Sequence, residues 1–275
     1  MPAGTAVSRG YLAPRAVDGV RGRVIATFAR CAYVTVDGAP ALVLHASGCD
    51  HTPTSICPAI WPLQGSAVAV GDPVAGRAGH LKIGELVLDV RGARAWRPAP
   101  SPVRTGGFAD PGIGYRLALR AASRRTGELL PALEHALARR DADRTTDCVA
   151  SLIGRGPGLT PSGDDALVSL LAVLHRLAPP ADGSLELLGP AVAAHMHRTG
   201  EISAHYLRLA LAGDFGERLV ALCDALAAGA RDEVASAATA VVATGATSGA
   251  DALLGVVTGV RLVAATGAHD RAVAA

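Results

Sequence analysis

Lysine is almost missing from this 275-residue chain: Lys82 is the only one. No Gly-Lys-Ser/Thr therefore occurs, which excludes a P-loop. The other basic residues are arginines spread singly along the chain, without a basic block, and the formal net charge is only +2. That balance argues against a nucleic-acid surface, and the abundance of Arg, Ala and Gly reads as coding bias. Paired cysteines are missing as well. Cys31, Cys49, Cys57, Cys148 and Cys223 are scattered, odd in number and form no Cys-x-x-Cys, so neither a zinc ribbon nor a disulfide framework is indicated. Reduced thiols are expected. Residues 1–10 have no apolar core of the signal-peptide kind. The most apolar late run, 252–266, reads as too short for a membrane span and contains Arg261; its Gly255 and Gly259 suit close helix packing instead. The expectation is a cytoplasmic protein with neither a membrane nor a nucleic-acid partner. No Ser-His-Asp ordering of the hydrolase kind stands out.

Half of the residues are hydrophobic, enough for a sizeable core in one or two domains. Residues 20–98 read as β. Short runs at 24–28, 32–36, 41–44, 67–70 and 85–90 are rich in β-branched, aromatic or aliphatic residues. Asp37-Gly38 marks a hairpin, and Gly71-Asp72-Pro73 and Arg91-Gly92 punctuate the later runs. The polar stretch from His51 to Ser55 reads as a surface turn. Residues 97–114 have linker composition. From Tyr115 the pattern is helical. Leu129, Leu130, Leu133 and Leu137 mark one apolar face, and Gly154 sits where a glycine ends a helix. Further helices are expected over 185–196, 202–211, 218–226, 234–242 and from Ser248 to about residue 265. The fold class is therefore α+β: a β-rich domain over 1–100, a small barrel or sandwich, then a linker at 101–114, then a helical domain over 115–275 with glycine-rich loops.

The chain's most distinctive string is Gly154-Arg155-Gly156-Pro157-Gly158-Leu159-Thr160-Pro161-Ser162-Gly163-Asp164-Asp165. Its glycines allow close backbone approach and its prolines stiffen it. Ser162 reads as the N-cap of the next helix, with Asp164 and Asp165 in the first turn. Free N–H groups at such a start suit an anion. Ordinary capping would give the same residues. The pattern returns 86 residues later: Ser162-Gly163-Asp164-Asp165-Ala166-Leu167 lies over Ser248-Gly249-Ala250-Asp251-Ala252-Leu253, with Thr160 and Thr247 ahead of the serines. Two such helix starts can converge on one pocket.

Thr199-Gly200-Glu201 reads as another helix start, with Thr199 as cap and Ser203 early in the helix. His195, His197 and His205 are poorly spaced for one metal. The aspartates pose a physical question, because a phosphate beside Asp164 and Asp165 is repelled. Three solutions stand open. Mg²⁺ bridges carboxylate and phosphate; Asp165 and Asp251 are structural and orient the loops; or a carboxylate accepts a hydrogen bond from a ligand –NH₂.

These strings, together with Thr199, Ile202-Ser203 and Gly245-Ala246-Thr247-Ser248-Gly249-Ala250-Asp251, resemble the AllH-type subunits of bacterial oxamate carbamoyltransferase. Ala246 departs from the pattern, which often has His there. The resemblance implies transfer of a carbamoyl group between carbamoyl phosphate and oxamate or a related amide, in purine or allantoin nitrogen catabolism, by a chain that works with partner subunits. It assigns catalytic roles to Ser162, Asp164, Asp165 and Asp251, and substrate contacts to Gly156, Gly158, Thr160, Gly163, Thr199, Ser203, Thr247, Ser248 and Gly249. No cofactor is required by it, with Mg²⁺ the one candidate. A non-catalytic scaffold subunit and a Mg²⁺-dependent phosphoryl- or acyl-transfer enzyme are the alternatives.

Overall fold

The computed structural model describes residues 3–36, 39–45, 50–59, 68–100, 129–179 and 182–273. The chain forms two compact units, Met1–Ala99 and Pro100–Ala275. The expected linker at 101–114 and the turn at Asp37-Gly38 lie outside the described residues.

The first unit is an eight-stranded barrel with one extra strand. Its elements are β1 (Ala3–Gly10), β2 (Arg21–Thr27), β3 (Cys31–Val36), β4 (Ala39–His45), β5 (Ser55–Pro58), β6 (Pro73–Arg77), β7 (His80–Ile83), β8 (Leu86–Asp89) and β9 (Arg94–Trp96). The order β5-β4-β3-β2-β6-β7-β8-β1 is closed by β1 pairing antiparallel with β5, and β9 adds parallel to the end of β1. Alternation sets the register. In β3 every second residue is buried, and Ala32, Val34 and Val36 meet Val24, Leu42, Leu44, Ile56, Leu81 and Leu88 in the barrel core.

Two expectations for this unit need correction. Residues 68–70 are not a strand. The Asp72 carboxylate accepts from the Ala69 N–H at 2.7 Å and the Asp72 N–H returns to the Ala69 carbonyl at 3.1 Å, so local turn bonds replace a ladder. The His51–Ser55 stretch is not a surface turn: Thr54 and Ser55 are fully buried, the Ser55 hydroxyl closes the turn on the Thr52 carbonyl at 2.9 Å, and His51 bonds Ser8 at 2.8 Å.

The second unit contains helices α1 (Leu129–Ala138), α2 (Ala142–Leu152), α3 (Ser162–Leu177), α4 (Ser184–His195), α5 (Glu201–Leu211), α6 (Glu217–Ala228), α7 (Arg231–Val242) and α8 (Ser248–Val273). Helix α3 is buried nearly all round, as a central helix must be. It packs on α2, α4, α5, α6 and, most extensively, on α8. Arg176 of α3, itself buried, pairs with Asp224 of α6 at 2.6 Å.

Helix α8 is longer than its sequence pattern suggests and is long and apolar enough to cross a membrane, so shortness is no argument. Packing is: 61% of the window Ser248–Ala265 is buried. The close packing expected at its glycines is present. A Cβ on Gly255 would lie 2.0 Å from the Ala166 carbonyl oxygen, and one on Gly259 would lie 2.7 Å from the Val173 side chain. Both contacts advance along the two helices together, so α3 and α8 start at the same end.

Gly255→Ala should therefore lower the stability of the helical unit by about 1–3 kcal/mol, the usual cost of overpacking. Gly189→Ala is the control: its Cβ meets only the Leu211 side chain, at 3.8 Å, and Ala is the better helix former. Urea denaturation followed by circular dichroism at 222 nm distinguishes the two.

Candidate functional site

The repeated strings build one supersecondary unit twice. In the first copy α2 ends at Leu152, Gly154 turns the chain at φ 74°, and the loop enters α3. In the second, α7 ends at Val242 and a shorter loop enters α8. The hydrogen bonds match. The Arg155 N–H reaches Leu152 O at 2.9 Å and the Gly163 N–H reaches Arg155 O at 3.0 Å; Thr244 reaches Val241 O at 2.9 Å and Gly249 reaches Thr244 O at 3.0 Å. Asp164 and Asp165 N–H both donate to Pro161 O, as Ala250 and Asp251 N–H both donate to Thr247 O. Each helix start presses its glycine on the preceding helix: a Cβ on Gly163 would lie 2.0 Å from Leu152 O, and one on Gly249 would lie 2.1 Å from Val241 O.

This geometry corrects two cap assignments. Ser162 is the first helical residue, and Pro161 occupies the cap position with no side-chain bond. Gly200, not Thr199, caps α5. It also changes the expected anion site. Most of the N–H groups at the two starts are spent on Pro161, Thr247 and the loops, leaving the helix dipoles rather than a row of free donors.

The two neighbouring aspartates face different surroundings. Asp164 is 1% exposed and both its oxygens are engaged. Oδ1 accepts from the Gly154 N–H at 2.9 Å; Oδ2 accepts from the Ser203 hydroxyl at 2.7 Å and the Thr199 hydroxyl at 2.5 Å. It ties the end of α2 and the start of α5 to the first turn of α3.

Asp165 turns toward α8 instead. The hydroxyls of Ser248 and Thr160, 3.0 Å apart, both hydrogen-bond its carboxyl. Its Oδ2 and both carboxyl oxygens of Asp251, which is 1% exposed, are buried without a hydrogen-bond partner. Burial raises the Asp165 pKa from 3.8 to about 8; the two hydroxyls oppose the shift, and the charges of Asp251 and Asp164 reinforce it. At neutral pH Asp165 is thus largely a protonated carboxyl, and no hydrogen bond joins it to Asp251. Such pairs are more common at working sites than in inert cores.

The remaining candidates fall around this pair. Ser162 shares a helix face with Asp165 and lies under Gly156, whose Cβ would be 2.9 Å from the Ser162 hydroxyl. Residues 155–159, including Gly158, form the exposed side of the loop. Thr199 and Ser203 serve Asp164 and not the pair. The three histidines do not converge, and among the described residues no cluster of three or more His, Cys, Asp or Glu gathers. Two arginines escaped the sequence reading: Arg198 donates to Ala150 O at 2.6 Å and Arg218 to Ala240 O at 2.7 Å. Each holds the last turn of the helix before a site loop. They lie outside the repeated strings and 20 residues apart, so no spacing announced them.

The protein-family model described as oxamate carbamoyltransferase subunit AllH matches residues 152–260, from the end of α2 into α8. The family resemblance of the glycine-rich strings holds over that segment. Comparisons with curated proteins and with solved structures gave no match.

The two aspartates should respond oppositely to an amide. Asp164→Asn breaks a satisfied carboxylate and should cost about 2–4 kcal/mol, whereas Asp165→Asn should not destabilise the fold at neutral pH. The pH profile gives a second check. The folded chain holds the Asp165 proton more tightly than the unfolded chain does. The stability this confers is full below pH 3.8 and is lost as the pH rises to about 8. Melting temperatures across that window should fall more steeply in the native chain than in Asp165→Asn.

Proposed function

We propose that this chain is a catalytic subunit of a carbamoyltransferase, moving a carbamoyl group between carbamoyl phosphate and oxamate or a related amide. The family match over residues 152–260 supports the reaction class. The observation that carries the site is the pair of repeated helix starts enclosing Asp165 and Asp251 with unpartnered oxygens. In the transfer, the acceptor amide nitrogen bonds to the carbamoyl carbon, the carbon–oxygen bond to phosphate breaks, and the amide gives up a proton. The Asp165–Asp251 pair can hold a proton at neutral pH, and the dipoles of α3 and α8 favour the negative charge that develops on the carbonyl oxygen. Asp164 acts through position, by fixing the turn that carries Asp165.

Leu159 favours a complementary role in assembly. It is 46% exposed, in the exposed run 155–159 of the site loop. An apolar side chain presented there suits contact with a partner subunit, so the loop serves both the site and the complex.

The test is turnover of oxalurate and phosphate in the assembly recovered with a tagged chain. Ser162→Ala and Asp165→Asn should each lower kcat by at least about 100-fold, the usual scale for acid–base and oxyanion groups, while the assembly stays intact. Full activity in both variants returns the chain to a scaffold role. Loss of the complex on Leu159→Ser, with activity surviving in the point variants, would do the same.

A further inference from the structure

Three buried carboxyl oxygens without partners, Asp165 Oδ2 and Asp251 Oδ1 and Oδ2, set a condition on whatever binds here. Buried polar atoms are rarely left unpaired, and each one costs stability unless something supplies the missing bond. The two carboxyls offer acceptors in excess, so the ligand must bring donors. A fully ionised phosphoryl group brings only acceptors and a charge that carboxylates repel. Within the described residues the pair gains no third ligating side chain, and the hydroxyls of Thr160 and Ser248 are engaged with each other and with the Asp165 carboxyl. A hard cation would then take most of its oxygen shell from elsewhere.

We propose that the Asp165–Asp251 pair reads the H₂N–C=O edge of a carbamoyl or primary amide group, Asp251 accepting from the –NH₂ and the Asp165 carboxyl donating to the carbonyl oxygen. The unpartnered oxygens of two acids leave room for one to accept while the other, Asp165, donates, which is the complement of that edge. The neutral end of the substrate lies inward on the pair. Its anionic end lies outward at the exposed loop 155–159, where the dipoles of α3 and α8 meet solvent. This inference rests on the carbamoyltransferase reading and names the group recognised.

Titration calorimetry of the full chain in EDTA, with carbamoyl phosphate and with acetyl phosphate, tests it. The two probes share phosphate and carbonyl and differ only in –NH₂ against –CH₃. The expected result is carbamoyl phosphate bound at least about tenfold tighter, the scale of one hydrogen bond to a charged group. In Asp251→Asn and Asp251→Ala that preference should fall to about threefold or less. Equal binding of both probes to the native chain overturns the amide-edge assignment and leaves the transferase reading standing. Binding of neither probe overturns the amide-edge assignment, and turnover in the recovered assembly then decides the transferase reading. Binding that appears only when Mg²⁺ replaces EDTA gives the pair to a cation and overturns the assignment. Melting temperature serves as the folding control. Asp251→Asn removes an unpartnered buried carboxylate and should melt no lower than the native chain; a marked fall would make Asp251 a structural residue and overturn the proposal.

Discussion

The contact of Gly255 with the Ala166 carbonyl fixes everything that follows in the helical unit. A helix-to-helix approach this close is open only to a residue with no Cβ, and it lies one turn beyond Asp251 and one residue beyond Asp165. With their starts at the same end, α3 and α8 each carry an acidic side chain with buried, unpartnered oxygens in the first turn. The proton on Asp165 is a product of that packing. Were the helices a side chain's width apart, both carboxyls would be solvated and would ionise like any surface pair.

The surroundings divide the work. Asp164 spends both oxygens on the end of α2 and the start of α5, so the first turn of α3 is anchored from two sides. Arg198 and Arg218 hold the last turns of the helices that feed the loops. None of these groups needs to touch a substrate. Their effect is to make Asp165 and Asp251 stationary, which is what lets two acids remain close without rearranging to find partners.

The barrel strands with β-branched alternation, β2, β3 and β4, were legible, as were the helices with apolar faces and the repeat itself. Strand β1 was not, because Ala3–Gly10 is too rich in small and polar residues to look like a strand; it is made one by pairing with β5 on one side and with β8 and β9 on the other. The Ser-Gly-x-Asp strings marked the starts of α3 and α8. They did not separate the roles of Asp164 and Asp165, since adjacent residues on a helix point about 100° apart and only tertiary packing says which direction is occupied. The cap assignments of Ser162 and Thr199 failed for a related reason: their hydroxyl chemistry suits capping, but carbonyls of Arg155 and Pro161 had already met the N–H groups of α3, and the Thr199 hydroxyl is spent on Asp164.

The repeat makes the unit a two-fold arrangement written into one chain, and a symmetric arrangement has no preferred seat for a single proton. Within the two six-residue strings the symmetry is broken at one position. Asp164 precedes Asp165, whereas Ala250 precedes Asp251. The additional negative charge therefore stands behind one acid alone and contributes to its retention of the proton. The same residue that ties the scaffold together makes the two helix starts chemically unequal.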